Sequence, residues 1–290
     1  MTSPRLLLCT DMDRTIIPNG KQPESVDARF QLAEFCHRPE VKLVYVTGRH
    51  QALVQQAIDQ YGLPDPDFVI TDVGTKIYRV GSGEWLEWSS WEKEIDRDWN
   101  GCSHSMLRDL LQDVEALRLQ EGTKQNTHKL SYYLSLAVDK EVILREVDQR
   151  LKQKGVRASL VWSIDEAEAI GLLDVLPMNA TKLHAIEFLQ QQLGYERHEV
   201  VFSGDSGNDL PVLVSGVRSV LVANADEALK REAAALAEDK GNSNSLYQAK
   251  PIDGANGNYA SGILQGIWYF VPGFRGTLES IGVSPSEMPE

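Results

Sequence analysis

Cysteine is scarce in this chain: Cys9, Cys36 and Cys102 are the only three, far apart and in no metal-ligand spacing. Cys9 lies inside an apolar run, so it reads as a small buried hydrophobe. The six histidines are dispersed and form no His-x-x-x-His pair, which argues against a zinc site. No stretch approaches the length of a bilayer-spanning helix, and the N-terminus lacks the basic, apolar, small-residue order of a secretory leader. A cytoplasmic protein that does not engage a membrane is the expectation. Positive charge is also short, with 29 Lys and Arg against 42 Asp and Glu for a formal net charge of -13. A nucleic-acid partner is therefore not expected, since phosphate-backbone binding depends on basic surface. A small anionic substrate stays open, because one metal ion and one lysine can supply the local positive field it needs.

What is present is ordinary globular composition, 42% hydrophobic and 24% charged over 290 residues, enough for one large domain or two smaller ones. The first part alternates strand and helix. Leu6-Leu7-Leu8-Cys9 reads as a buried strand, Val26 to Phe35 has helical spacing, and Val41 to Val46 is a β-rich run. A helix over Gln51 to Tyr61 follows, then Pro64-Asp65-Pro66-Asp67 as a breaker, then Phe68-Val69-Ile70-Thr71 as a further strand. This alternation predicts an α/β fold: a Rossmann-like parallel-sheet core with helices on both faces. The rhythm changes near Gly81-Ser82-Gly83, where a Trp-rich acidic stretch begins. A helix over 103–119, a strand around 129–136, a helix over 140–154 and strands around 159–164 and 172–176 follow. This is an α+β insertion. The predicted division is a core of residues 1–82 and 171–290 with a cap of residues 83–170, hinged near Gly81 and Gly171. Trp85, Trp88, Trp91 and Trp99 read as cap core or seam packing, and the Gly, Pro and Ser-rich end from Val271 as partly unpacked. A monomer, or a dimer, is the expected state.

Two acidic clusters each follow an apolar strand: Asp11-Met12-Asp13-Arg14-Thr15 after Leu6 to Cys9, and Gly204-Asp205-Ser206-Gly207-Asn208-Asp209 after Val200-Val201-Phe202. In parallel sheets, functional groups lie just beyond the C-terminal strand ends. Carboxylates there suit a hard divalent cation, and a carboxylate can also attack phosphorus. Asp-x-Asp-x-Thr alone is a weak signal, since short acidic turns are common. Thr47-Gly48-Arg49 adds a hydroxyl and backbone N–H groups at a third strand end, where a simple capped turn would explain it equally well. Lys182 opens a helix and can reach a phosphate as a point charge, although a lone lysine there is more often solvated. Two carboxylates four residues apart, among glycines that let the chain turn, form the most specific element. The order of all four is much stronger than any one.

These four elements resemble the motifs of the haloacid dehalogenase superfamily of phosphotransferases, matched by Asp11/Asp13/Thr15, Thr47, Lys182 and Asp205/Asp209. The cap between the second and third motifs resembles the branch with a type-2, α+β cap. Within it the chain is most similar to sucrose-phosphate phosphatases, through Gln125-Asn126, Lys129-x-Ser131-Tyr132, Leu173-Asp174-x-Leu176-Pro177 and Gly204 to Asp209.

The resemblance implies a Mg2+-dependent sugar-phosphate phosphatase, with a disaccharide phosphate such as sucrose 6-phosphate as small-molecule partner. Asp11 is then the nucleophile and Asp13 the acid and base. The metal falls to Asp11, the Asp13 carbonyl, Asp205 and Asp209; the phosphoryl oxygens fall to Thr47, Gly48 and Lys182. Asn126, Lys129, Ser131 and Tyr132 become candidate sugar contacts, against the plain reading of an amphipathic strand. Asp253 to Gly262 is a glycine-rich turn that either touches substrate or caps the last long helix. Two departures, Met178-Asn179-Ala180-Thr181 where the family is more basic and a longer C-terminus, bear on which sugar is used. Rival substrates are glucosyl- or mannosyl-glycerate phosphates and trehalose 6-phosphate. A phosphohexomutase and a non-catalytic sugar-phosphate-binding domain are the other rivals.

Overall fold

The structure, a computed structural model, describes residues 4–81, 84–165, 168–252 and 254–283. Its strands and helices in chain order are β1 (Leu6–Thr10), α1 (Ala28–Cys36), β2 (Val41–Val46), α2 (Gln51–Tyr61), β3 (Phe68–Thr71), β4 (Lys76–Gly81), β5 (Glu84–Glu87) and α3 (Ser89–Asp96). There follow α4 (His104–Leu111), β6 (Arg118–Leu119), β7 (Leu130–Leu134), α5 (Lys140–Gln153), β8 (Ala158–Asp165) and β9 (Ile170–Pro177). The chain ends with α6 (Lys182–Leu193), β10 (Val200–Gly204), α7 (Leu210–Leu213), β11 (Arg218–Leu221), α8 (Glu227–Asp239), β12 (Leu246–Gln248), α9 (Ala260–Phe270) and α10 (Arg275–Ser280).

One sheet has eight strands in the order β12-β11-β10-β1-β2-β3-β4-β5, and the six from β12 to β3 run parallel. The central strands are continuously apolar because both faces are covered. Leu6 and Leu8 pack with α1, α2, α9 and α10, while Leu7 and Cys9 pack with α3, α6, α7 and α8. Period-two alternation in β1 thus feeds two separate cores. The expected α/β core with helices on both faces is present.

A second sheet, β6-β7-β9-β8, is antiparallel throughout. One face of it buries Leu130, Tyr132, Leu134, Leu173 and Val175 against Leu107 and Leu111 of α4 and Val147 and Leu151 of α5. This is the α+β insertion. The sheets divide at different residues from the expected 83–170: β5 continues the large sheet, α3 packs Trp91 and Ile95 into its core, and β9 belongs wholly to the small sheet. The chain therefore crosses between layers near 97–99 and 177–180, not near Gly81 and Gly171. Ser82 and Gly83, at the expected boundary, lie outside the described residues.

Three further expectations change. The helix foreseen over 103–119 stops at Leu111, because Arg118 and Leu119 leave it to pair with Tyr133 and Tyr132 of β7. Of those four tryptophans, Trp99 lies in the cap core, whereas Trp91 is buried against the large sheet beside Phe188. The tail from Val271 packs as far as Val283, with Phe274 meeting Phe35 edge-on at 5.2 Å and Leu278 buried. Residues 284–290 of that tail, and Asp253 of the glycine-rich turn, lie outside the described residues. The rest of that turn braces the core: Asn256 and Asn258 donate to Pro23 O, and Tyr259 donates to Gln22 O. Among the described residues no helix is long and apolar enough to cross a membrane.

Candidate active site

β1 and β10 are adjacent and parallel, with Thr10 opposite Ser203. Asp11 and Asp205 consequently leave neighbouring strand ends side by side, and the Asp11 N–H closes the edge by donating to Ser203 O at 2.8 Å. Gly204 is required here, since a Cβ on it would lie 2.6 Å from Asp209 Cγ. That gap lets Asp209 Oδ2 fold back and accept the Asp205 and Ser206 N–H groups, each at 3.1 Å. α6 enters from the other side, capped by the Thr181 hydroxyl accepting the His184 N–H at 3.1 Å. Its first residue, Lys182, donates to Asp11 Oδ1 at 2.8 Å and Asp209 Oδ1 at 2.7 Å. A third, longer contact reaches Asn208 Oδ1 at 3.3 Å.

Burial pushes the Asp11 carboxyl up, to about 7, against the pull of the Lys182 ammonium. Burial alone would lower Lys182, but the Asp11 and Asp209 charges outweigh it and hold the ammonium above its usual value. Asp205 is lifted to about 6 by burial, opposed by Arg14 and reinforced by Asp209. Asp13 is different. Burial raises it, but hydrogen bonds from Arg49 Nε at 2.7 Å, Arg49 Nη2 at 2.6 Å and Asn19 at 2.7 Å leave it below the usual carboxylate range.

These donors fit a hard divalent cation. Asp11, Asp205 and Asp209 each offer an oxygen within 4.8 Å of the others, and all three are buried. Asp205 Oδ2 receives no hydrogen bond, although Arg14 Nε lies 3.1 Å away in an ion pair. A buried carboxylate oxygen that accepts no hydrogen bond among the described residues is the kind of group that a metal satisfies.

Thr47 and Gly48 stand at the end of β2, with the Thr47 N–H donating to Ile70 O at 2.8 Å. The Thr47 hydroxyl accepts the Arg49 N–H at 3.1 Å and keeps its own proton to donate. Gly48 is exposed, and a Cβ there would meet only Val73 Cγ2 at 3.8 Å, so sterics do not demand glycine.

The expected sugar contacts separate. Lys129 lies across the seam from the large sheet, 3.5 Å from Asp72 Oδ1 and 3.8 Å from Asp174 Oδ2. Ser131 shares that sheet face and donates to Asp174 Oδ1. Asn126 spends its amide on the seam, donating to Thr75 Oγ1 at 3.0 Å and accepting the His128 N–H at 2.9 Å. Tyr132 points the other way, 3% exposed in the cap core with a hydroxyl that finds no partner, so it is not placed as a sugar contact. Strand alternation explains this: Lys129 and Ser131 share one face, and Tyr132 must take the opposite one. Residues to which the sequence assigned no role are Arg49, Arg14 and Asp174, which it named only within motifs, and Asp72. Asp72 was findable by the rule that found Asp11, since it directly follows β3.

Carboxylates and a buried lysine at the C-terminal edge of a parallel sheet, facing an antiparallel insert, define a phosphoryl-transfer hydrolase of the haloacid dehalogenase type. A family model described as sucrose-6F-phosphate phosphohydrolase matches residues 4–271, and the chain belongs to that family of phosphoric monoester hydrolases acting on sugar phosphates. It is 47% identical to a protein of Nitrosococcus oceani described as a HAD-like hydrolase, over 95% of this chain and 74% of the other. It is 30% identical to a protein of Arabidopsis thaliana named as sucrose-phosphatase 1, over 92% of this chain but only 60% of that longer one. A mannosylfructose-phosphate phosphatase of Agrobacterium fabrum is 29% identical over 77% of this chain and 84% of its own. Among solved structures, the sucrose-phosphatase of Synechocystis in complex with sucrose and phosphate superposes with a TM-score of 0.68. That match has 28% identity and covers 92% of this chain and 98% of the other.

Proposed function

We propose that this chain is a Mg2+-dependent phosphatase of a disaccharide phosphate, sucrose 6-phosphate first among them, working through an aspartyl-phosphate. The observation that carries the reading is the buried pairing of Asp11 with Lys182 beside Asp205 and Asp209. Lys182 opposes the pull of burial on Asp11 and so favours the ionised form that a nucleophile requires. Relatives named for sucrose and for mannosylfructose phosphate support a disaccharide as the alcohol released.

In the first step Asp11 attacks phosphorus, the bond from phosphorus to the sugar oxygen breaks, and protonated Asp13 gives its proton to that oxygen. In the second, a water attacks the phosphorus, passes a proton to Asp13 and frees phosphate and Asp11. Arg49 and Asn19 hold Asp13 ionised before substrate arrives, so the proton it gives is taken up from solvent once the sugar phosphate displaces the guanidinium. The Thr47 hydroxyl, the Gly48 N–H and Lys182 receive the phosphoryl oxygens, with the weak Lys182–Asn208 contact as the one surrendered. A divalent ion held by Asp11, the Asp13 carbonyl, Asp205 and Asp209 would offset the charge of a dianion placed against carboxylates.

The test is phosphate release with and without Mg2+ across disaccharide, monosaccharide and glycosyl-glycerate phosphates. Metal-dependent turnover with a clear preference for a disaccharide phosphate is expected. Turnover of a monosaccharide phosphate alone overturns the substrate, and no turnover of any overturns the reaction.

A further inference from the structure

We propose that β8, the open edge of the small sheet, pairs antiparallel with β8 of a second copy of this chain, joining two four-stranded sheets into one. The contact lies on the insertion and uses none of the acid-site residues, so it stands apart from the reaction proposed above.

The two sheets have four outer strands, β12, β5, β6 and β8. Unpaired N–H and C=O groups along such a strand are a template for another chain, and proteins blunt them with short strands, charge, proline or bulges. Three of the four follow that rule: β12 has three residues, β6 has two, and β5 has four with Glu84 and Glu87 at its ends. β8 does not. It runs for eight residues, Ala-Ser-Leu-Val-Trp-Ser-Ile-Asp, without lysine, proline or glycine. All eight pair with β9 in unbroken register, from Ala158 opposite Pro177 to Asp165 opposite Ile170, so no bulge turns the edge away. Alternate residues of an antiparallel strand turn both backbone groups outward. Among the described residues, nothing beyond β9 bonds to the backbone of 159–164. Val161 on one face and Ile164 on the other are 36% and 51% exposed, large apolar side chains beside that open edge.

The strand's own order of residues names the occupant. Arg157, just before β8, and Asp165, at its end, carry opposite charges and lie equally far from Val161. Setting Val161 opposite its own copy places Arg157 opposite Asp165 of the other chain, once at each end. Leu160 then meets Trp162, and Ser159 meets Ser163, so each opposed pair matches in kind. Opposed residues also share a face in this register. The sides bearing Leu160 and Trp162, which pack on the cap core, therefore lie together on one side of the joined sheet. A slip of two residues in either direction separates Arg157 from Asp165 and loses both ion pairs. Arg157 has the reach: its side chain is 64% exposed, and its Nη2 contact with Asp98 at 3.3 Å leaves other N–H groups of the guanidinium to donate. Asp165 Oδ1 accepts the Glu168 N–H at 3.2 Å, and a carboxylate takes more than one donor. A patch that complements itself in this way is what a two-fold interface requires.

The test is sedimentation equilibrium of the full chain, with amide hydrogen exchange read at high and low protein concentration, in the parent and in Val161→Lys and Asp165→Lys. The parent is expected to form a dimer, and the amides of 158–165 to exchange more slowly when concentrated than when dilute. Val161→Lys sets two ammonium groups against each other at the two-fold axis. Asp165→Lys sets a lysine against Arg157 of the second copy. Each should raise the dimer dissociation constant at least about tenfold. Neither position is fully buried, so both variants should fold; if one does not, the other decides. A parent that stays monomeric at every concentration overturns the proposal and leaves the edge to a strand of a different protein. A dimer that the folded variants leave intact, or one whose slowed amides lie outside β8, overturns it as well.

Discussion

Lys182 Nζ donates to Asp11 Oδ1 at 2.8 Å, joining side chains that are 2% and 7% exposed, and the same ammonium holds Asp209 at 2.7 Å. Lys182→Met leaves two buried carboxylates facing each other without their cation. Breaking a buried pair by removing one partner costs about 3–5 kcal/mol. Thermal unfolding of the variant should show a large loss without metal and a partial recovery with Mg2+, and phosphate release should vanish. An unchanged melting temperature would mean that the pairing is absent in solution.

Asp11→Asn separates fold from chemistry. The amide oxygen can still accept from Lys182, so the variant should fold, but an amide cannot form the acyl phosphate. Phosphate release should drop below detection while the sugar phosphate still binds. Parent-level turnover in the variant would remove Asp11 from the nucleophile's role.

Tyr132→Phe should be silent for catalysis. The Tyr132 hydroxyl is buried without a partner, so deleting it relieves an unmet hydrogen bond. A stability change from zero to about 1 kcal/mol in the favourable direction is expected. A fall in kcat/KM for the sugar phosphate would return Tyr132 to the substrate site.

The sequence made the large sheet legible because its strands are short apolar runs and its carboxylates follow them directly. Asp11, Thr47 and Asp205 were placed by that rule alone. Lys182 needed the helix that it opens. The boundaries of the insertion were less legible, because Gly81 looks like the start of a linker but is the last residue of β4 and pairs with Glu84 of β5. Facing was lost at β7, where every residue but Tyr133 is buried and hydrophobicity does not separate the two faces. Asp72 stands where the strand-end rule points, but its ion pair was hidden, because it reaches across 57 residues of chain to Lys129 and no local pattern announces it.

Asp98 should act as a clamp where the chain crosses between the sheets. It is 2% exposed, accepts the Asn179 N–H at 2.7 Å and its side-chain amide at 3.2 Å, and pairs with Arg157 at 3.3 Å. One carboxylate thus ties the outgoing crossing to the returning one, three residues before Lys182. Asp98→Ala leaves those donors unpaired, at a cost of about 1–3 kcal/mol. Faster amide exchange over 97–99 and 177–181, more than over the β1–β10 centre, is the expected signature. Uniform change across the chain would make Asp98 merely structural.

The acid site also fixes how metal binding should depend on pH. Asp11 and Asp205 are raised to about 7 and about 6 by burial, against about 3.9 in an unfolded chain. Between those limits the folded, metal-free protein binds more protons than the unfolded one. Its stability is therefore greatest at the acid end and falls as pH rises through the window. A divalent ion binds the deprotonated carboxylates and must displace those protons, so its stabilising effect runs the other way. The rise in melting temperature on adding Mg2+ should be small near pH 5 and grow toward pH 8. Asp205→Asn removes one of the two titrating ligands, along with the oxygen that has no hydrogen bond, and should flatten the profile. A magnesium shift equal at both ends of the range, in the parent, would mean that the ion binds elsewhere.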